Sequence, residues 1–290
     1  MSHTRAFAIG ASVNLAFVVA EIAAGFMSGS MALVADAVHN FADVVGLLLA
    51  WIAAVLARRP PNAMLTYGWG RGSILAALAN ASILLIGVGA IGVEAVQRLI
   101  DPHPIDTGIV MAVAAAGIVV NGGSALLFLR DRHSDLNIRA QFAHLAGDAA
   151  IAAGVVIAAL AIRLTGWQWL DPLTGLAGSA LIVVGTWGLI REAFGLAIDA
   201  VPSRVKHADV LAWLGALPGV AEVHDLHIWA LSTTETALTV HLVREPGAPE
   251  LVPHELSTAL QAKFGIGHTT MQIEADGDAV YCRLRPDEVV

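Results

Sequence analysis

Six long apolar segments constrain the fold of this chain more than any other feature of its sequence. They occupy, approximately, residues 6–27, 31–57, 72–99, 107–130, 140–164 and 173–196. A helix needs about 20 apolar residues to cross a bilayer core of about 30 Å, and each segment has that length. The 290-residue chain is 57% hydrophobic, 14% charged and has a mean hydropathy of +0.70, whereas soluble domains carry about 25% charged residues. The sequence therefore predicts a multi-pass α-helical membrane protein with six transmembrane helices.

The first apolar segment is predicted to be a transmembrane helix, because a signal peptide would have a shorter apolar core and a small-residue cleavage site. The chain contains a single cysteine, Cys282. This excludes a disulfide within the chain and a metal site built from several cysteines.

The arginines predict the orientation of the helices. Only Arg98 and Arg163 fall on one side of the predicted membrane. On the other side lie Arg5, Arg58, Arg59, Arg71, Arg130, Arg132, Arg139 and Arg191. Because loops rich in Lys and Arg stay in the cytoplasm, both termini are predicted to be cytoplasmic, in a protein of the cell's inner (plasma) membrane.

The character of the sequence changes after Pro202, which predicts a transmembrane domain over residues 1–202 and a cytoplasmic domain over 203–290. This tail holds twelve of the 24 acidic residues and six of the 16 Lys and Arg residues, and this acidity argues against nucleic acid and anionic lipid as partners. Its patterns predict, in order, a helix, two strands, a helix and a strand, at 207–219, 222–231, 237–245, 253–265 and 268–275. The expected fold is a small ferredoxin-like α+β layer.

Two of the predicted membrane helices carry the same pair of ionisable residues. His39 and Asp43 in the second segment form H-x-x-x-D, and His144 and Asp148 repeat the spacing in the fifth. Residues four apart share one helix face, so each pair can converge on one point. Both pairs fall in the middle part of the predicted bilayer core, at about 1.5 Å of rise per residue.

Two imidazoles and two carboxylates make a tetrahedral N2O2 set that suits Zn²⁺. Mg²⁺ and Ca²⁺ would require more oxygen ligands. The alternative interpretation is that these residues form hydrogen bonds between helices, but the duplicated pair at matching depth favours a metal site. The sequence contains no nucleotide-binding loop and implies no covalent chemistry, so we predict a protein that is not an enzyme and depends on an ion gradient.

Several stretches of the chain resemble the cation diffusion facilitator family of divalent-metal transporters. In the membrane part these are "ADAVHNFADVVGLLLAW", "TYGWGRGSILAALANA" and "AHLAGDAA"; in the tail they are "GVAEVHDLHIWAL", "ALTVHLV" and "GIGHTTMQIE". The resemblance covers nearly the whole chain. It implies a homodimer that exports a cytoplasmic metal ion in exchange for protons.

The resemblance also implies roles for individual residues. It places His39, Asp43, His144 and Asp148 at the transport site, where the His/Asp composition is similar to that of the zinc-type subgroup. It places His224, His241, His268 and Glu274 at cytoplasmic zinc sites, so that Zn²⁺ would be both substrate and regulatory ligand.

The remaining polar residues of the membrane segments receive weaker interpretations. The resemblance implies that Asp36, and less clearly Asn40, line the ion's path or support the ligands; the alternative is hydrogen bonding between helices. Arg71 and Asp199 fall where the family has a charge interlock between subunits, although Arg71 also suits a simple cytoplasmic anchor. Glu21 receives no role from the sequence.

The ligand set suits several divalent metal ions as the transported substrate. Cd²⁺ and Co²⁺ are alternative substrates, and a Co²⁺, Fe²⁺ or Ni²⁺ carrier would use the same ligand set, since ligand type alone does not separate these ions. Two other classes of function compete: a metal-sensing membrane scaffold, for which the membrane quartet would be dispensable, and a proton channel, which would conduct without metal.

Overall fold

A computed structural model describes residues 3–129 and 136–275 of the chain; Cys282 lies outside these ranges. Six helices come first: α1 (His3–Ser28), α2 (Met31–Ala57), α3 (Gly72–Ile100), α4 (Thr107–Phe128), α5 (Leu136–Thr165) and α6 (Leu170–Ala197). Helices α7 (His207–Gly215) and α8 (Pro253–Phe264) and strands β1 (Val220–Ala230), β2 (Thr236–Arg244) and β3 (His268–Glu274) follow in the order α7-β1-β2-α8-β3. The predicted fold class, apolar helices followed by a small α+β domain, is confirmed.

Helices α2 to α6 are each long and apolar enough to cross a membrane. In α1 the apolar stretch among the described side chains is Leu15–Ser28. Large apolar side chains remain exposed along these helices, for example Phe26 (75%), Leu47 (66%) and Ile86 (73%). Such exposure suits a lipid environment, because a water-soluble protein rarely leaves large apolar patches uncovered.

The chain forms two compact units, one comprising Met1–Leu47 and Asn80–Trp187, the other Leu48–Ala79 and Gly188–Val290. In the first unit, small residues allow close helix packing, as is usual in membrane bundles. A Cβ atom on Gly175 of α6 would lie 3.2 Å from the carbonyl oxygen of Met31 in α2. One on Gly46 would lie 2.7 Å from the amide oxygen of Asn80.

The first turn of α2 is fixed by a buried carboxylate from α6. Asp171 accepts hydrogen bonds from the Ser30 hydroxyl at 2.5 Å and from the Met31 backbone N–H at 2.6 Å, and its exposure is only 2%. The first N–H groups of a helix have no partner within the helix, so this contact satisfies one of them and favours a negative charge at that end. The same contact sets the position of α2, which carries His39 and Asp43.

In the second unit, a three-stranded sheet has the order β1-β2-β3, with β1 and β2 antiparallel and β2 and β3 parallel. Helices α7 and α8 pack on one face through Val210, Leu214 and Leu260. The sheet contributes Leu226, Ile228, Leu238, Val240 and Leu242 to the same core. Helix α8 ends at Gly265, whose φ of 70° is the left-handed conformation that glycine adopts at low cost.

Strand β1 changes face at a bulge. His224 pairs in register with His241, which alternates along β2 with the core residues Val240 and Leu242. In a regular strand His224 would share a face with Leu226, since side chains alternate with a period of two. The register shifts between His224 and His227, and Asp225 adopts a φ of 52°. The bulge therefore places His224 beside His241 while Leu226 stays in the core.

Candidate metal centres

The four residues of the duplicated H-x-x-x-D pattern meet between α2 and α5. The Nε2 atom of His39 lies 3.7 Å from Asp43 Oδ2 and 3.4 Å from Asp148 Oδ1. The Nε2 atom of His144 lies 3.3 Å from Asp43 Oδ2 and 3.6 Å from Asp148 Oδ2. Each imidazole is thus close to both carboxylates, and the two rings are 5.9 Å apart at an angle of 72°.

These distances match the edges of a small coordination tetrahedron. A tetrahedral ion with ligand bonds of about 2.0–2.1 Å separates its ligand atoms by about 3.3 Å. The four nitrogen–oxygen separations lie between 3.3 and 3.7 Å. Ligand atoms of His39, His144 and Asp148 all fall within 4.8 Å of one another. These three residues can hold one divalent cation, and Asp43, whose Oδ2 lies 3.3 Å from His144 Nε2, is the candidate fourth ligand.

The quartet is buried on one side and accessible on the other. The side chains of Asp148 and His39 are 7% and 15% exposed, whereas those of Asp43 and His144 are 33% and 43% exposed. The Nδ1 atom of His39 has no hydrogen-bond partner among the described residues. A metal site that keeps an accessible side can exchange its ion, unlike the closed geometry of a structural site.

Asp36 and Asn40, predicted to lie along the ion's path, flank His39 on α2 and are both buried. Asn40 donates a hydrogen bond to Glu21 of α1 at 2.8 Å. Glu21, for which the sequence analysis predicts no role, is completely buried.

A second cluster lies on the face of the sheet opposite the helices, and it contains three of the four predicted tail ligands. Glu274 Oε1 lies 2.7 Å from His241 Nδ1, and Glu274 Oε2 lies 3.5 Å from His224 Nε2. His224 and Glu274 are 5% and 6% exposed. Neither ring nitrogen of His224 has a hydrogen-bond partner within the described chain, which leaves that imidazole suited to a metal ion.

His268, the fourth predicted tail ligand, does not join this cluster. It is exposed at the start of β3, where its ring packs edge-on against Tyr67 with centroids 5.4 Å apart. Strand β3 reaches Glu274 only six residues later, and a strand rises about 3.3 Å per residue. Within one chain His268 is therefore far from Glu274.

Asp225 lies beside this cluster, a position that sequence reasoning missed. Its carboxylate contacts His227 Nε2 at 2.6 Å and lies 3.4 Å from His241 Nε2. The "HDLH" string contained the residue types, but the bulge that turns Asp225 towards His241 leaves no periodic signal in the sequence.

Arg71 and Asp199, predicted as a charge interlock, form an ion pair within this chain, with side chains 49% and 52% exposed. The pair joins the start of α3 to the turn after α6, both in the second unit. Its proposed role between subunits stays a prediction.

Comparisons with known proteins agree with this architecture. A family model described as the cation efflux transmembrane domain matches residues 7–196, and one described as the cytoplasmic domain of cation efflux proteins matches residues 202–276. Together they define a multi-pass membrane protein that transports metal cations and is not an enzyme. The chain belongs to the cation efflux family, the cation diffusion facilitators, as the sequence predicted.

Individual relatives match over nearly the full length of the chain. The metal cation efflux system protein CzcD of Cupriavidus metallidurans is 36% identical over 275 residues, covering 94% of this chain and 87% of the relative. The zinc transporter ZitB of Escherichia coli is 33% identical, covering 94% and 88%. The cadmium, cobalt and zinc/H(+)-K(+) antiporter of Bacillus subtilis is 28% identical, covering 94% and 90%.

Among solved structures, the metal-bound C-terminal domain of the CzcD transporter is 41% identical to this chain. It covers 24% of this chain and 99% of that chain, with a TM-score of 0.22.

Proposed function

We propose that this protein exports Zn²⁺ from the cytoplasm in exchange for protons, with His39, Asp43, His144 and Asp148 as the transport site. The observation that carries the proposal is the set of four nitrogen–oxygen separations of 3.3–3.7 Å. Two imidazole nitrogens and two carboxylate groups at that spacing suit Zn²⁺ better than a hard ion with six or more oxygen ligands. The relatives named as zinc transporters support the same choice of metal.

The ligand chemistry provides a means of exchange. Histidine binds metal only when it is neutral and carboxylates bind only when they are deprotonated, so metal binding releases protons and protonation releases metal. Asp43 and His144 form the accessible side of the quartet, where ion and proton would enter and leave. Helix movements that expose the quartet alternately to either side would complete the cycle.

The remaining parts of the proposal concern organisation. Residues 1–202 form the transmembrane domain and residues 203–290 a cytoplasmic domain, with both termini in the cytoplasm and the protein in the plasma membrane. His224, His241 and Glu274 bind Zn²⁺ as a regulatory ligand. The match to the family's cytoplasmic domain supports a homodimer.

The proposal is tested by metal flux into proteoliposomes under an imposed pH gradient, comparing Zn²⁺, Cd²⁺, Co²⁺, Mn²⁺ and Fe²⁺. We expect uptake of Zn²⁺, and of Cd²⁺ or Co²⁺ more slowly, that reverses with the gradient and moves protons the other way. A rate of Zn²⁺ flux that does not depend on the pH gradient would exclude proton exchange. Fastest flux of Mn²⁺ or Fe²⁺ would exclude the zinc assignment.

A further inference from the structure

A second group of buried polar residues lies beside the quartet, and the transport site does not use it. Glu21 on α1 and Asp36 and Asn40 on α2 are 0%, 5% and 9% exposed. A charged group near the centre of a bilayer-spanning helix is energetically costly, and such groups mark ion or proton pathways. Two carboxyl groups in one apolar environment therefore require an explanation.

The contacts of the two carboxyl groups indicate that the pair binds a proton. The carboxyl groups of Glu21 and Asp36 lie within hydrogen-bonding distance of each other, and Asn40 donates to Glu21 Oε2 at 2.8 Å. Glu21 Oε1 and Asp36 Oδ1 have no hydrogen-bond partner in the described part of the chain. Two carboxylates that close cannot both be ionised in an apolar environment, so such a pair shares one proton.

The surroundings favour a proton over a metal cation. Hard cations require about six oxygen ligands. Here the described side chains supply two carboxyl groups, and the Asn40 amide presents its N–H group, not its oxygen, to Glu21. Helix α4, which packs against α1 at Phe17 and Gly117, contains no titratable residue between Thr107 and Phe128.

The pair is close enough to the quartet to respond to its charge. Asp36 precedes His39 by one helical turn, and both line one cavity of about 220 Å³ between α2, α5 and α6. The α5 and α6 residues of this cavity, among them Gly154, Thr174 and Gly178, are uncharged. The ionisable groups that face the carboxyl pair are therefore His39 on α2 and Asp148 on α5.

We propose that Glu21 and Asp36 form a separate proton site of the exchange cycle, which carries one proton beyond those released by the quartet. When a divalent cation enters the quartet, its charge repels the shared proton, which leaves through the cavity that Asp36 and His39 line. Coupling between two sites is reciprocal, so the proton at the pair weakens metal binding at the quartet to the same extent. This inference rests on the proposed function of the quartet.

The test counts the protons released when Zn²⁺ binds. Calorimetric titration of the purified full-length protein in buffers of different ionisation enthalpy gives this number, and a His241→Ala background removes the tail cluster from the signal. Glu21→Gln and Asp36→Asn should each release about one proton fewer than the parent while still binding Zn²⁺ with unchanged stoichiometry. The slope of a plot of log Kd against pH should decrease in magnitude by about one.

The control is Asp171→Asn, which removes a carboxylate equally buried in the same unit but bonded to Ser30 and Met31. It should release the parental number of protons. Parental release from Glu21→Gln and Asp36→Asn would overturn the inference, as would an equal deficit in Asp171→Asn. If Glu21→Gln instead abolishes an effect of K⁺ on zinc affinity, with proton release unchanged, the pair binds an alkali cation and the inference is again wrong.

A failure of the proposed function is recognised separately. His144→Ala in the same background should abolish Zn²⁺ binding, because it removes a quartet ligand and leaves Glu21 and Asp36 intact. Undiminished binding by that variant would disprove the quartet assignment, whatever the carboxyl pair does.

Discussion

The two candidate metal centres differ in how their ligands are supported. The membrane quartet takes all its ligands from two helices, and its nitrogens and oxygens face mainly one another. The tail cluster takes one ligand from each of three strands, and Gln272 also donates to Glu274 at 2.8 Å. Second contacts of this kind hold a ligand in its binding orientation.

The ligand side chains of the two centres also differ in solvent exposure. His144 of the quartet has 43% of its side chain exposed, whereas His224 and Glu274 of the tail have 3% and 5%. A site that must release its ion in every cycle needs an accessible side, while a site that stabilises a fold is best closed. If both centres bind Zn²⁺ as proposed, we expect the quartet to exchange its ion faster than the tail cluster does.

The largest effects should come from removing one ligand in either centre. His144→Ala should lower zinc flux in proteoliposomes at least about 100-fold, since losing a ligand costs more than the 10–100-fold typical of its supporting contacts. It should leave the tail's zinc in place. His241→Ala should have the opposite pattern, with one zinc fewer by equilibrium dialysis and substantial flux remaining.

His103→Ala is the matched control, because His103 is an exposed histidine in the connection between α3 and α4. It should change neither flux nor zinc content. If His144→Ala transports zinc at the parental rate, or if His241→Ala abolishes flux entirely, the contrast between an exchanging and a retained ion is wrong.

The second effect is the stabilisation of the tail sheet by zinc. At a free concentration of 100 times Kd, a ligand stabilises the state that binds it by about 2.7 kcal/mol. Amide hydrogens that exchange only when the sheet opens should then exchange about 100-fold more slowly. We expect this slowing in β1, β2 and β3 of the parent protein but not of Glu274→Gln. The measurement is hydrogen exchange with and without Zn²⁺.

His268→Ala serves as the control for that experiment, since His268 lies on the same sheet and outside the cluster. Its sheet should still gain protection from zinc. Loss of protection in His268→Ala would show that His268 is a zinc ligand, as the family resemblance implied.

The sequence predicted the helical centre better than the strand-borne one, for a physical reason. Residues four apart on a helix share a face whatever the tertiary structure, so His39 with Asp43 and His144 with Asp148 could be paired from spacing alone. The face of a strand residue depends on every bulge before it. Regular alternation would bury His224 in the core beside Leu226, and only the unusual backbone of Asp225 prevents this.

Buried polar contacts between helices were also beyond the sequence. Glu21 is the single acidic residue of the first apolar segment and Asp171 lies just before the sixth, with nothing in the sequence to indicate their partners. Asn40 meets Glu21 across 19 residues and Ser30 meets Asp171 across 141. Such pairings depend on how the helices pack, which local periodicity does not specify.

A third, smaller effect concerns the support of the quartet by α6. Asp171→Ala removes both acceptors at the start of α2 and should destabilise the protein by roughly 1.5–3 kcal/mol, as expected for hydrogen bonds to a charged group. Ser30→Ala removes the bond to Asp171 and also the bond that the Leu33 backbone N–H donates to Ser30 Oγ at 3.2 Å, and should cost about 1–2 kcal/mol. Thermal unfolding of the purified protein measures both. A larger loss for Ser30→Ala than for Asp171→Ala would contradict this assignment of the cap.

The smallest effect should come from the ion pair between Arg71 and Asp199. Both side chains are about half exposed, and exposed pairs contribute about 0–1 kcal/mol because water and salt screen them. Arg71→Ala should therefore shift the unfolding midpoint slightly at low salt and hardly at all at high salt, with Arg71→Lys as the charge-conserving control. A salt-independent loss of dimer in Arg71→Ala, absent from Arg71→Lys, would instead assign the pair to the subunit interface. Subunit assembly would then depend on the same unit that contains the tail cluster, since Arg71, Asp199 and that cluster all belong to it.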